Sequence, residues 1–259
     1  MLYLAGARGR LHYRRWQLDN AQAALALLPG IGQHSAHYHR FARALAARGI
    51  ELWALDTSGH GLSEGDPDRP GNIHELAADA RLFLEQVHAQ ANSTPFLLGH
   101  SLGAATALAV LRDAEPGEFS GLVLSGTPKA VLEGKSPKSA RGADSPQRGA
   151  DSPPRAADSP RRGVATPSRA HAGARSRAAV ATERDSDWPG PRLPEGLPVL
   201  IVHGEDDRRA PLDPVRDWAA QVGARFTTYP HAGHDLLHEP VHAEVTAEIV
   251  EFVHARSLV

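Results

Sequence analysis

Short apolar or alternating stretches recur along this chain, separated by segments whose apolar positions return every three or four residues. Residues 10–16, 24–28, 50–55, 96–98, 122–124, 199–203 and 225–229 are the short stretches. Their length and the turn residues around them predict strands. Between them, residues 38–48 place Phe41, Leu45 and Tyr38 on one helical face, and residues 72–90 place Leu76, Ala80, Phe83, Leu84 and Val87 on another. Residues 102–112, 214–222 and 241–253 also have helical character. Asn72 stands three residues before Glu75, the spacing of a capping box at a helix start. Strands alternating with helices predict a mostly parallel sheet covered on both faces.

One segment breaks the pattern. Residues 135–184 hold eleven Lys/Arg, four Asp/Glu and no aromatic residue, and Val164 and Val180 are the only larger aliphatics. A seven-residue unit repeats through it from Arg141, Arg148 and Arg155, with weaker copies from Arg162 and Arg169 and prolines at 146, 153, 160 and 167. The period is that of a coiled coil, but no position is apolar, so the segment cannot bury a core and is expected to be disordered. Its net charge of +7 leaves −9 for the rest of the chain. Because strands stand on both sides of it, it is expected to be an insertion into one sheet.

Composition narrows the function. A net charge of −2 over 259 residues gives no basis for general nucleic-acid or membrane-surface binding. The absence of cysteine excludes a disulfide framework, a thiolate metal site and a cysteine nucleophile. The first residues have no basic stretch followed by a long apolar one, so no signal peptide is expected and the default location is the cytoplasm. No apolar run approaches the length of a membrane span.

Gly99-His100-Ser101-Leu102-Gly103 sits between a predicted strand and a predicted helix. G-x-S-x-G alone is a weak signal, but this context is that of a nucleophile elbow. The turn is tight enough to strain the serine backbone, and flanking glycines let the chain pass. A serine hydroxyl needs a base, and the base needs an orienting acid. Gly204-Glu205-Asp206-Asp207 ends one later strand, and Tyr229-Pro230-His231-Ala232-Gly233-His234 follows the next. The order Ser, Asp, His is the one associated with this elbow, and loops at the carboxyl ends of parallel strands converge in space.

Over roughly residues 10–128 and 194–256 the chain resembles the α/β-hydrolases, most closely the serine hydrolases grouped with monoacylglycerol lipases and lysophospholipases. Pro29-Gly30-Ile31-Gly32-Gln33-His34-Ser35 resembles the oxyanion loop of that group, which has histidine where this chain has Pro29. Asp56-Thr57-Ser58-Gly59-His60-Gly61-Leu62-Ser63 and the segment from His234 to Pro240 match two further motifs. The resemblance implies an α/β fold with an eight-stranded, mostly parallel sheet. It implies a single domain of residues 1–128 and 194–259, with 129–193 inserted at the cap position. It implies a carboxylic ester hydrolase with Ser101 as nucleophile, His234 as base, Asp207 rather than Asp206 as acid, and the N–H groups of Ile31 and Leu102 as oxyanion donors. No cofactor or metal is implied, and the partner is a small-molecule ester.

Other histidines bear on metal chemistry. His238-Glu239-Pro240-Val241-His242 spells H-E-x-x-H, but a zinc site of that kind needs both histidines on a helix interior, which Pro240 opposes. His34, His37 and His39 have no acid close in sequence and are expected to be solvated or hydrogen-bonding residues. At the cap position three readings compete: a degenerate lid over a working enzyme, a basic segment binding an anionic partner, or a replacement that impairs the enzyme.

Overall fold

β3 (Ala23–Leu28) and β4 (Ile50–Leu55) are buried at every position because the sheet they occupy is covered on both faces. Leu25 and Leu27 pack among the side chains of α1 (His39–Ala46) and α6 (His242–Ser257). Ala26 and Leu28 pack on the opposite face with α2 (Ile73–Gln90), α3 (Leu102–Leu111) and α5 (Leu212–Gln221). The period-two alternation of strand side chains thus feeds two separate cores. In β4, Glu51 is buried, and its charge is matched by Arg15 on the neighbouring strand.

The computed structural model describes residues 2–135 and 188–257; the repeat segment and its expected disorder lie outside the described residues. The remaining strands are β1 (Leu2–Gly6), β2 (Gly9–Trp16), β5 (Phe96–His100), β6 (Gly121–Ser125), β7 (Val199–Gly204) and β8 (Arg225–Tyr229). They form one eight-stranded sheet in the order β1-β2-β4-β3-β5-β6-β7-β8. β2 runs antiparallel to β1 and β4, and every other neighbouring pair is parallel. The predicted parallel sheet with two helical layers is therefore present. β1 is absent from the sequence reading because it is an edge strand: Leu2 and Tyr3 stay exposed, so no buried alternation marks it. The short helix α4 (Lys129–Leu132) is also additional. Among the described residues no helix is long and apolar enough to cross a membrane.

Two local features carry weight. The capping box at α2 is complete: Asn72 Oδ1 accepts from the N–H groups of His74 and Glu75, and Glu75 Oε2 accepts from Asn72 N–H at 2.9 Å. At the elbow helix, a Cβ on Gly103 would stand 1.8 Å from the Leu28 carbonyl oxygen, and one on Gly99 would stand 2.5 Å from the Gly103 carbonyl oxygen. The backbones of β3, β5 and α3 meet here without room for a methyl group. Gly103→Ala is therefore expected to lower unfolding free energy by about 3 kcal/mol, the upper end of overpacking costs. A denaturant midpoint unchanged from wild type would contradict this close approach.

Candidate active site

Ser101 joins β5 to α3 with φ 52° and ψ −113°. Only Ser101 and His231 combine a side chain with positive φ among the described residues. Such a conformation costs on the order of 1–3 kcal/mol and persists only where the surroundings enforce it. Here Ser101 N–H donates to the Ser125 carbonyl on β6 at 2.9 Å, and the Ser101 carbonyl accepts from Ala104 and Ala105 N–H. The hydroxyl is held at the carboxyl edge of the sheet, ahead of α3. Leu102 is the first residue of α3, where a helix leaves its N–H groups unpaired and positive.

The loops after β7 and β8 bring two more groups together. Asp207 is buried, whereas Asp206 is exposed. Asp207 Oδ2 accepts from His234 Nδ1 at 2.8 Å, while Oδ1 accepts from Arg209 N–H and Ala210 N–H at 2.8 and 2.9 Å. Burial alone would raise this carboxyl's pKa, but the hydrogen bonds from His234 and the Ala210 and Arg209 N–H groups outweigh it and hold it below the ordinary value. The Nδ1–H contact fixes the histidine tautomer and leaves Nε2 with its lone pair. His234 Nε2 is buried with no hydrogen-bond partner among the described residues. Gly126, with φ 58°, walls the ring: a Cβ there would lie 2.7 Å from His234 Cε1.

The loop after β3 closes the other side. A Cβ on Gly30 would meet His100 Cδ2 at 2.8 Å and Ser101 Cβ at 3.2 Å, so the backbone preceding Ile31 runs against the elbow. Asp56, at the end of β4, anchors this loop. It is fully buried and accepts from Ser35 N–H at 2.6 Å, Leu62 N–H at 2.9 Å and His12 Nδ1 at 2.8 Å. One carboxylate thus ties the Asp56–Ser63 loop to the loop after β3. A Cβ on Gly61 would lie 2.2 Å from Asp56 Oδ2, which explains the glycine in that motif.

A family profile described as serine aminopeptidase, S33 matches residues 19–143. Monoacylglycerol lipase of Mycolicibacterium smegmatis (strain ATCC 700084 / mc(2)155) is 28% identical over 279 aligned positions, covering 96% of this chain and 95% of that one. Human monoglyceride lipase is 36% identical over 126 residues, which make up 47% of this chain and 41% of that protein. The solved structure of Paleococcus ferrophilus monoacylglycerol lipase has a TM-score of 0.62 at 20% identity, covering 95% of this chain and 99% of that one. The chain has the α/β-hydrolase fold and resembles the monoacylglycerol lipases.

Three parts of this candidate site escape a reading of its motifs. His100, beside the elbow serine, places Nε2 2.9 Å from Asp235 Oδ1. Gln33 Nε2 donates to the same oxygen at 2.9 Å, and buried Tyr38 donates its hydroxyl to Gln33 Oε1. This chain of bonds joins the elbow, the loop after β3 and the residue following His234. Glu239 fixes the same turn by accepting from Gly233 N–H at 2.6 Å and Asp235 N–H at 2.8 Å. His203, fully buried under Asp207, donates Nε2–H to the Ala210 carbonyl at 2.8 Å and is kept neutral by burial. A signal existed for Asp235 and His100, since both adjoin motif residues, but nothing in sequence pairs positions 135 apart.

The H-E-x-x-H string has other employment in this fold. Glu239 holds the turn just described, His238 Nε2 contacts the His37 carbonyl, and His242 contacts the Glu239 carbonyl at the start of α6. His34 and His37 pack with their rings tilted by 40° and centroids 4.0 Å apart, and His39 Nδ1 accepts from Trp16 Nε1.

The His100 hydrogen bond holds the Asp235 carboxyl at about 2, against burial, which acts in the opposite direction. An unfolded aspartate titrates near ~3.9. The folded value is the lower one, so the stabilisation is complete above about pH 4 and disappears as pH falls through about 2. Asp235→Asn is expected to flatten the fall in stability over that window. Urea midpoints at stepped pH test this, and parallel curves for the two proteins would show that Asp235 is not the group responsible.

Proposed function

We propose that this protein cleaves carboxylic esters through an acyl-enzyme formed on Ser101. His234 Nε2 takes the serine proton as Oγ attacks the acyl carbon, then returns a proton to the departing alcohol. Asp207 holds the histidine in the required tautomer and stabilises the imidazolium. The N–H groups of Ile31 and Leu102 receive the developing oxyanion, a type of contact whose loss typically costs about 3–4 kcal/mol. Water, activated by the same histidine, then releases the acid. The chemistry calls for no cofactor or metal.

The observation that carries this reading is His234: Nδ1 is bound to buried Asp207 and Nε2 is buried without a partner among the described residues, while Ser101 is held in a strained turn at the end of β5. Similarity to monoacylglycerol and monoglyceride lipases supports an ester as the substrate. The description of the matching family names an aminopeptidase, so an amide substrate is the informative comparison. The other reading, a scaffold whose basic repeats bind an anionic partner, gains nothing from these similarities. We place the hydrolase in one domain of residues 1–128 and 194–259, with 129–193 inserted. Val131 and Trp188, within that insertion, are buried in the domain's core, and Trp188 Nε1 donates to the Val131 carbonyl at 2.9 Å.

A panel of p-nitrophenyl esters of increasing acyl length, an aminoacyl p-nitroanilide and a fluorophosphonate probe test the proposal together. Ester turnover with covalent labelling is expected, and anilide turnover is expected to be far slower. A chain that cleaves only the anilide, or that resists the probe while cleaving esters, would overturn the assignment.

A further inference from the structure

Away from Ser101, a groove of about 570 Å³ runs between α1 and α6. Buried Phe41, Leu237 and Val250 form its floor, and exposed Ala44, Ala243 and Ala247 form its walls. Three of the polar groups that reach it already have partners. Thr246 Oγ1 donates to the His242 carbonyl, His254 Nε2 to the Arg48 carbonyl, and Arg40 Nη2 to the Leu237 carbonyl. A peptide laid here would find few main-chain partners, whereas an alkyl chain needs none.

The rim carries the charge. Arg40 and Arg48 line the groove, and Arg43 lines the adjoining hollow with His39 and Ala44. None of these three guanidinium groups forms an ion pair with a carboxylate among the described residues. Glu251, the acid on the rim, is held by Arg225 at 3.3 Å. The uncompensated charge is positive, and a guanidinium suits a carboxylate. Arg40 and Arg48 stand eight positions apart on and just beyond α1, about 12 Å along a helical axis. They therefore meet a headgroup singly and do not wrap it as a phosphate cradle would.

We propose that the α1–α6 groove is a binding site for a long-chain carboxylate, with the alkyl chain along the alanine walls and the headgroup on Arg40 or Arg48. An apolar trough of this volume with few polar groups is the usual form of a small-molecule site. Ser101, Asp207 and His234 do not line the groove, and the inference holds whether or not Ser101 acts on esters.

Calorimetric titration of the full chain with dodecanoate below its micelle concentration tests the proposal. Ala247→Trp fills the groove from an exposed position, and is expected to remove a saturable binding event without changing the melting temperature. Arg40→Gln combined with Arg48→Gln is expected to weaken that event about tenfold, and dodecanol is expected to bind about tenfold more weakly than dodecanoate. No saturable binding, or binding untouched by Ala247→Trp, would overturn the proposal, the latter placing the ligand elsewhere. Equal binding of dodecanol would overturn the role of the arginines, and tighter binding of dodecyl phosphate would overturn the carboxylate. If the wild-type chain sediments as a dimer that Ala247→Trp dissociates, and dodecanoate does not bind, the groove seats a second copy and the proposal fails.

Discussion

Ser101→Ala is expected to end ester turnover, with kcat falling by roughly 10⁶, the scale seen when a serine hydrolase loses its nucleophile. The geometry behind this is the isolation of the hydroxyl. β5 ends at His100, the chain turns through φ 52° at Ser101, and α3 begins at Leu102. His100, the side chain beside it in sequence, is engaged with Asp235, and His234 Nε2 has no hydrogen-bond partner among the described residues. Removing Oγ leaves the Ile31 and Leu102 N–H groups in place, so turnover and fluorophosphonate labelling should disappear while the fold is kept. Near-ultraviolet circular dichroism should be unchanged, because the turn is held by the backbone bond from Ser101 N–H to Ser125. Labelling that survives in Ser101→Ala would remove Ser101 from the role.

Asp207→Asn is expected to lower kcat by about 10⁴, as in serine proteases with the equivalent exchange. The local hydrogen bonds say why the effect should be so large. Asp207 Oδ1 faces two donors, Arg209 N–H and Ala210 N–H, so the amide would turn its oxygen to them. Its NH₂ would then face His234 Nδ1, which must accept and so gives up its proton. The ring switches to the other tautomer, with the proton on Nε2, and can no longer take one from Ser101. The pH dependence follows the same logic: Asp207 titrates below the ordinary aspartate value, so its support is complete at neutral pH and is lost only in acid. Asp206→Asn should leave kcat near wild type, since Asp206 is exposed and meets the site only through its N–H bond to the Ala232 carbonyl. The reverse ranking of the two variants would assign the acid to Asp206.

What the sequence determines by itself is whatever depends on burial along the chain. β3 and β4 are legible because both faces of each are covered, and α2 because its apolar stripe packs on the sheet and Asn72 and Glu75 stand at capping distance. The order of Gly99–Gly103, Asp207 and His234 is legible because each sits at the carboxyl end of a recognisable strand. The tertiary structure decides what depends on strand order and on contacts across the chain. β1 needs a neighbour, since an edge strand with exposed Leu2 and Tyr3 has no apolar alternation. Asp206 and Asp207 differ chiefly in burial and partners, which one residue of register reverses. His100 and Asp235, 135 positions apart, meet because the loop after β8 folds over the end of β5. Asp56 becomes a junction only when β2, β4 and the loop after β3 are side by side. Local pattern carries the free energy of burial, while such polar pairs form wherever the completed sheet leaves a charged group short of a partner.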